Sequence, residues 1–528
     1  MNRILLLLLF ALIFNSCKET EKIELTEEPR PIAEVFGEFY EFKKSINPIE
    51  ATKAGYSKYN DTIANYISDD YIFHLKDRYT YFLEELDKYD STKVSTADWM
   101  SLRVMKWDCS VKLQGVMNPI VTVASPIYDL PSFELMPLFQ IQSLHLYVAQ
   151  LAGGTSVQPF KAIEDYNNWL SRLDDYLIFL DTSIDKMKVG MEKGVVLPRV
   201  LTLKMLPQVR AFIDIPLKEN LFYQPILNFP DGISDVDKDI LESNYAAFIK
   251  DKLTPKYVEL NKFLTEEYLP KCRETSGLLD LPNGKETYQY LIKLHTTTTM
   301  NADEIHELGL SEVARISSEM EIVKNQIGFK GNLKSFFNSL RTRKELMPFN
   351  NPEEVIANFN AINDRIALRI DSLFELTPKA GFNVRRTEAF REASASAEYT
   401  PGSKDGDPYQ YFGMLSMEMH RAIRLVVDTG LHAKGWSREQ AIRYSLDNEA
   451  ESEESIIAEV ERYMATPGQA LSYKLGQLKI RELRTKAEKA LGANFNIREF
   501  HSQILNSGSL PLVLLEEKLD GWIASQSK

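Results

Sequence analysis

Cysteine is scarce: three occur in 528 residues, at Cys17, Cys109 and Cys272. So few exclude a disulfide framework. Cys109 and Cys272 either pair or stand as lone buried thiols, and neither sits in a nucleophile motif. Histidine is scarce as well, with seven: His74, His145, His295, His306, His420, His432 and His501. No two form H-E-x-x-H, the spacing that turns two imidazoles toward one zinc ion. His306-Glu307 begins that pattern, but Leu308-Gly309-Leu310 follows. His306 therefore reads as a structural or surface residue of a helix. G-x-S-x-G and P-loop patterns are absent, which leaves serine-hydrolase and nucleotide-binding readings without support. Basic runs are absent too. A net charge of -13 opposes the phosphate neutralisation that general nucleic-acid binding needs.

Only one long apolar run exists, and it opens the chain. "MNRILLLLLFALIFNSC" places Arg3 before an apolar stretch from Ile4 to Phe14. That stretch is short for a membrane span and fits a signal peptide. Ser16-Cys17 at its end resembles a lipobox, which makes Cys17 the lipidated first residue of the exported chain. Residues 1–17 are then a leader, and the acidic, polar residues 18–35 a tether. The expected location is outside the cytoplasm, lipid-anchored to the periplasmic face or the cell surface.

What remains is ordinary globular composition, 44% hydrophobic and 26% charged, with helical periodicity from about Phe36 onward. In "NPEEVIANFNAINDRIALRIDSLFEL", Asn351, Pro352 and Glu354 suit a helix start. Val355, Phe359, Ile362, Ile366, Ile370 and Leu373 then recur every three or four residues, predicting one buried stripe. Thr254-Pro255 predicts another start. Asn301 with Glu304, and Ser437 with Gln440, predict capping boxes. "EESIIAEVERYM" predicts a helix that stops at Pro467-Gly468. The next helix should turn Leu471, Leu475, Leu478 and Leu483 inward. Residues 230–239 read as a loop. Strand signals are confined to residues 383–400. The expected architecture is a single, mainly α-helical domain over residues 36–528 with a small β element.

Three stretches carry chemistry. "HTTTT" (295–299) suits a helix-capping loop or the lining of a polar pocket. "DTGLH" sets Asp428 and His432 one helical turn apart, as a hydrogen-bonded unit or a pair of metal ligands. "EVERYMATPGQALSYKLG" places Arg462, Tyr463, Tyr473 and Lys474 around a helix break. From there Tyr or Arg donors can serve a developing oxyanion, or Tyr463 and Tyr473 can be core residues with polar tips.

Together with "HTTTTMNADEIHELGLSEVARISSEM" (295–320), "HRAIRLVVDTGLHAKGWSREQAI" (420–442), "EVERYMATPGQALSYKLGQLKIREL" (459–483) and "REFHSQILNSGSLPLVLLEE" (498–517), the sequence resembles the bacterial domain-of-unknown-function 885 family. "NPIEATKAGYSKYND" and "WLSRLDDYLIFLDTSIDKMKVGMEKGVVLP" match its looser N-terminal half. The resemblance implies a helical fold similar to zinc peptidases of the thimet-oligopeptidase and carboxypeptidase Taq kind. It also implies zinc, held by an H-E-x-x-P-G-H segment and a following Glu-Gly-Trp. Here "EYTPGSKDG" runs directly into "DPYQYFGMLSMEMHRAIRLVVDTGLH". Both segments are missing, and with them the general base and the ligands.

Three expectations follow. In the first, the chain is a non-catalytic member that keeps a peptide-binding cleft, with His432, Arg462, Tyr463 and Tyr473 as cleft candidates and no cofactor. In the second, a metal-dependent hydrolase is rebuilt from Glu418, His420, Asp428 and His432. In the third, the chain is an internally deleted copy of such an enzyme. Removing a helix from the centre of a domain should also open a cavity or bare apolar surface.

Overall fold

Short polar side chains open many of the helices. Ser68, Ser95, Ser234, Asn301, Asn351, Ser437 and Ser452 each accept a backbone N–H from the first turn, satisfying a donor that the helix itself cannot pair. Both expected capping boxes form. Asn301 Oδ1 accepts from Glu304 N at 3.0 Å while Glu304 Oε2 accepts from Asn301 N at 2.9 Å. Ser437 and Gln440 repeat the exchange. Asn351 caps Glu354 N, but Glu354 reaches one residue further back, to Asn350 N.

The structure is a computed structural model describing residues 29–122, 131–153, 157–346, 349–377, 384 and 408–526. Cys17, the leader and residues 18–28 of the tether lie outside the described residues. So do residues 383–400, apart from Val384, and the junction at Gly406–Asp407. The fold is a mainly α-helical single domain. Among the described residues the β structure is one short antiparallel pair, Val121–Thr122 with Ser132–Phe133. No described helix is long and apolar enough to cross a membrane.

Two helices organise the core. Ile163–Lys193 buries Trp169, Tyr176, Phe179 and Met187 in the N-terminal half. Its fully buried Arg172 donates to the carbonyls of Pro48, Tyr59 and Thr62 and to the side chains of Thr52 and Gln158. That ties the 47–62 region to the long helix. In the C-terminal half, Pro408–Ala433 is buried on all sides from Ala422 to His432. Helix Ala302–Gln326 runs along it at close range because Gly309 has no side chain. A Cβ there would stand 2.8 Å from both Leu425 Cβ and Val426 Cγ2. Gly430, which weakens the helix on propensity alone, makes room for the Trp436 ring, 2.6 Å from where a Cβ would lie. A smaller C-terminal cluster gathers Leu483, Leu491, Phe500, Leu519 and Trp522.

Four expectations change. Thr254-Pro255 opens an α-helical segment as expected, but no break precedes it. The helical chain runs on from Asp235–Phe248 through a wide π turn, Ile249–Leu253, into Thr254–Lys262. The widened turn accommodates a proline that has no N–H and whose ring crowds the preceding turn. The 230–239 loop becomes helical at Asp235, because Ser234 caps it. Leu471, Leu475 and Leu483 are buried as expected, but Leu478 is half-buried and faces a cleft. Finally, helix Pro352–Ala367 buries none of its residues. Its stripe continues through Ile370–Leu373 with Ile366 and Leu373 exposed, beside Leu368 at 88% exposure. Periodicity shows that a face was prepared for burial; it does not show that anything covers it.

Candidate functional site

The 408–433 helix carries Glu418, His420, Asp428 and His432, which the structure separates into three polar clusters. Burial forces each group to find a partner, since an unpaired polar group in the interior is costly.

The first cluster lies near the helix C-terminus. Asp428 accepts from Tyr288 Oη at 2.5 Å and from Gly468 N at 3.0 and 3.1 Å. It thereby clamps the Pro467-Gly468 turn, where Gly468 takes a φ of +83°. Burial pushes its carboxyl up to about 7 against the pull of Tyr288 and Gly468. His432 stacks beside Tyr288 with ring centroids 5.2 Å apart. Its Nδ1 accepts from Leu278 N at 3.1 Å, and its Nε2 donates to the Tyr463 carbonyl at 3.0 Å. Those partners permit one neutral tautomer and leave neither nitrogen free. Burial pushes this imidazole down to about 3. On the opposite side, His306 pairs with Thr429 Oγ1 at 2.8 Å and meets Trp436 edge-on, as a buried structural histidine.

Glu459 organises the second cluster. It receives Arg424 Nη2 at 2.9 Å, Arg462 at 2.9 and 3.1 Å and Tyr463 Oη at 2.7 Å. His420 Nε2 approaches to 3.7 Å, while its Nδ1 bonds Glu449 at 2.6 Å. Burial alone would raise Glu459, but the bonds from His420 and Arg462 outweigh it and hold the carboxylate well below its usual range. For His420, burial is outweighed by Glu449 and Glu459, and its pKa rises. Tyr473 stands at the rim, half exposed, with the Arg421 and Arg424 guanidiniums 5.4 and 5.3 Å from its ring.

In the third cluster Glu418 meets Arg315 at 2.7 Å and Lys474 at 2.9 Å. Lys474, fully buried, also bonds Glu312 at 2.8 Å. The Arg315 hydrogen bond leads in holding Glu312 down at about 2. This lattice joins the 302–326, 408–433 and 472–491 helices.

The candidate ligands therefore do not meet. Among the described residues, no group of three or more His, Cys, Asp or Glu is arranged to hold a metal ion. Cys109 and Cys272 are free; Cys109 is buried, and burial pushes its thiol up to about 12.

Open space lies on the other side of the Pro467-Gly468 turn. A cleft of about 1080 Å³ is lined by Phe36, Phe39, Met100, Trp107, His295 and Thr297, among others. His432, Arg462, Tyr463 and Tyr473 are not among its lining residues. His295 closes the end of helix Gly284–Thr296, with its Cδ2 3.4 Å from where a Gly468 Cβ would lie. The HTTTT stretch is both a capped helix end and a cleft wall. Thr296 Oγ1 donates to the Ile292 carbonyl, and Thr297 Oγ1 accepts from Leu512 N.

Glu459, Arg424 and Glu449 were not singled out in the sequence. Arg424 had a signal: a cation inside the apolar run "AIRLVV" must be buried and paired. The cleft residues of the 32–46 and 96–116 helices had none, since they occupy ordinary amphipathic positions.

The comparisons with known proteins follow this geometry. No curated protein matches the chain. Among the solved structures that match, two illustrate the shared fold. A protein from Colwellia psychrerythraea superposes with a TM-score of 0.84 at 22% identity, over 94% of this chain and 99% of its own. One from Shewanella oneidensis gives 0.65 at 13% identity, over 92% and 99%. Both are described as a "putative lipoprotein", the second as one of unknown function. The family profile described as "Bacterial protein of unknown function (DUF885)" matches residues 48–407 and 405–519, so the match divides at the Gly406–Asp407 junction. The chain belongs to the DUF885 family of bacterial proteins.

Proposed function

We propose that this chain is an exported, lipid-anchored member of its family that binds a peptide-type ligand without hydrolysing it. The observation that carries this reading is the saturation of the candidate ligands. His432 has both nitrogens engaged, Asp428 holds a tyrosine and a turn, and His420 and Glu418 sit in separate ion-pair lattices. A zinc ion would have to displace all of these at once, so these residues do not fit the metal that the family resemblance implies. Division of the profile match at 405–407 supports loss of the segment that would have supplied ligands. The fold and the cleft beside it remain.

The lipobox at Cys17 supports the anchor, as does the description of both structural neighbours as lipoproteins. The test is metal content by mass spectrometry on residues 18–528, loaded with zinc and then dialysed. Peptide hydrolysis is assayed on the same sample. A folded protein that retains no zinc and cleaves nothing is expected. Near-stoichiometric zinc with peptide cleavage would overturn the reading and return attention to a rebuilt hydrolase site. Sequencing the locus across codons 400–410 separates a true deletion from a sequence error.

A further inference from the structure

The apolar stripe of residues 352–373 bends between Ala367 and Ile370, and a concavity of about 690 Å³ opens at the bend. Eight residues line it: six apolar and two arginines, with no acid among them. Of the apolar six, Ile366, Leu368 and Leu373 are exposed, Leu368 almost wholly. Arg365 and Arg369 stand one helical turn apart, both exposed, and their side chains form no hydrogen bond or ion pair with a described residue. The neighbouring acids Asp364 and Asp371 lie outside the lining, and Glu375 accepts from Ser502 Oγ at 2.8 Å.

The bend is held in this pose from its other side. His501 Nδ1 donates to the Leu373 carbonyl at 2.8 Å, and its ring stacks on Phe374 with centroids 4.8 Å apart. Arg498 Nε donates to the Phe374 carbonyl at 3.4 Å. Helix Ile497–Leu505 thus fixes the bend while the Ile366 and Leu368 side stays open to solvent.

That helix also relates the bend to the start of the body. It runs into segment 506–511, which lines the 1080 Å³ cleft together with Phe36. One cleft and one nine-residue helix, ~14 Å long, therefore separate the first helix of the body from the bend. The chain from Cys17 to Pro29 extends to at most ~40 Å. A tether of this length holds the bend near whatever surface carries Cys17, at an effective concentration on the order of mM.

The lining selects among surfaces. A purely apolar partner would leave two guanidiniums unpaired. A polyanion would leave the leucines and isoleucines in water. The boundary of a phospholipid bilayer offers acyl chains and phosphates within one layer.

We propose that the 362–374 bend is a membrane-docking face. It seats on the phospholipid surface that carries the Cys17 anchor, with Ile366, Leu368 and Leu373 in the acyl boundary and Arg365 and Arg369 on lipid phosphates. The anchor sets the distance of the body from the membrane, and the bend sets which way it faces. This rests on the anchoring half of the reading above and not on its ligand.

The test is co-sedimentation of the mature chain from residue 18 with vesicles. It lacks the acyl group, so binding comes from the body. Vesicles of phosphatidylcholine with phosphatidylglycerol are compared with phosphatidylcholine alone. Binding to both is expected, tighter with phosphatidylglycerol. Leu368→Glu and Leu373→Glu should each weaken it about tenfold or more. Arg365→Gln and Arg369→Gln should each cost about fivefold on the anionic vesicles and leave binding to phosphatidylcholine alone unchanged. Melting curves matching the wild type show that the variants fold. In the acylated full chain, Leu368→Trp should add emission that brominated lipid quenches. Vesicle binding indifferent to Leu368→Glu and Leu373→Glu would overturn the proposal. So would a dimer in lipid-free solution that Leu368→Glu splits, which would assign the face to a second copy. Absence of vesicle binding with Leu368→Trp unquenched would overturn it as well. Vesicle binding through this face with no acyl mass on Cys17 would overturn the anchor and keep the docking face.

Discussion

Asp428→Asn should stabilise the protein at pH 8 relative to pH 5. The carboxyl is fully buried and receives only Tyr288 Oη and Gly468 N. Burial lifts it from 3.8 to about 7. Between those values the folded state holds a proton that the unfolded state has released. Stability from this group therefore falls as pH rises through the window, and levels off above 7. About two units of the window lie between pH 5 and 8, worth ~3 kcal/mol at ~1.4 kcal/mol per unit. The asparagine amide has the same shape: its oxygen can accept from Gly468 N and its NH2 can donate to the tyrosine oxygen, but it does not titrate. Urea unfolding of wild type and variant at both pH values cancels every other titrating group. The variant should gain ~3 kcal/mol on the wild type from pH 5 to pH 8. A difference that stays constant, or moves the other way, refutes the assignment of a buried, largely protonated carboxyl. Asp428→Ala separates charge from clamp. It leaves a hydroxyl and an N–H unpaired and should cost ~1–3 kcal/mol for each, at either pH.

His420 carries the same sign of pH dependence through a different group: its raised pKa means that its contribution is complete below 6.5 and lost as pH rises through the folded value. His420→Gln should therefore lower the melting point more at pH 6 than at pH 8.5, and the reverse order would disprove the pairing with Glu449 and Glu459. Lys474→Met leaves Glu312 and Glu418 short of a buried cation and should cost ~3–5 kcal/mol in urea unfolding; a cost under ~1 kcal/mol would show that Arg315 suffices. Leu368→Glu should change stability by less than ~0.5 kcal/mol while reducing binding of a hydrophobic dye, because Leu368 is almost fully exposed. A large loss of stability would reveal a covered stripe. Cys17→Ala should move the protein from the membrane fraction to the soluble exported fraction, and retention at the membrane would exclude lipid as the sole anchor.

The helical class and several of its caps were legible because they depend on local chemistry. Asn301 and Ser437 need only a neighbour three residues on, and they form the boxes that their sequence implies. Thr254-Pro255 opens its α-helical segment, but the break that the rule implies is replaced by a π turn that joins it to the helix before and gives the proline room. The spacing of Asp428 and His432 puts both against Tyr288 in one cluster, but not as joint ligands. Helical spacing fixes where side chains leave the backbone, whereas their partners come from Tyr288, Leu278 and Gly468, 40 to 154 residues away in sequence. The cleft was invisible for the same reason. Its walls come from segments near residues 36, 100, 295 and 510, and no local pattern announces that their faces are left open.

Several buried polar ties converge on the 408–433 helix. Glu418 ties it to the 302–326 and 472–491 helices, Arg424 to the 453–465 helix, and Asp428 to both the 284–296 helix and the Pro467-Gly468 turn. Each tie is a buried charge or carboxyl whose partners lie on the C-terminal side or in the 284–326 region. Removing any one partner would strand its mate in the interior, which makes the arrangement stiff against local rearrangement. On the 352–373 stripe, by contrast, Ile366, Leu368 and Leu373 are exposed to water. Fully burying a leucine or isoleucine gains ~1.5–3 kcal/mol, so three such residues forfeit several kcal/mol of burial. A domain of this size, with an apolar core running from Val35 to Leu475, can lose that much and still fold. Buried ion pairs and carboxyl bonds therefore fix how the C-terminal helices meet, while the 352–373 stripe is left as apolar surface in water.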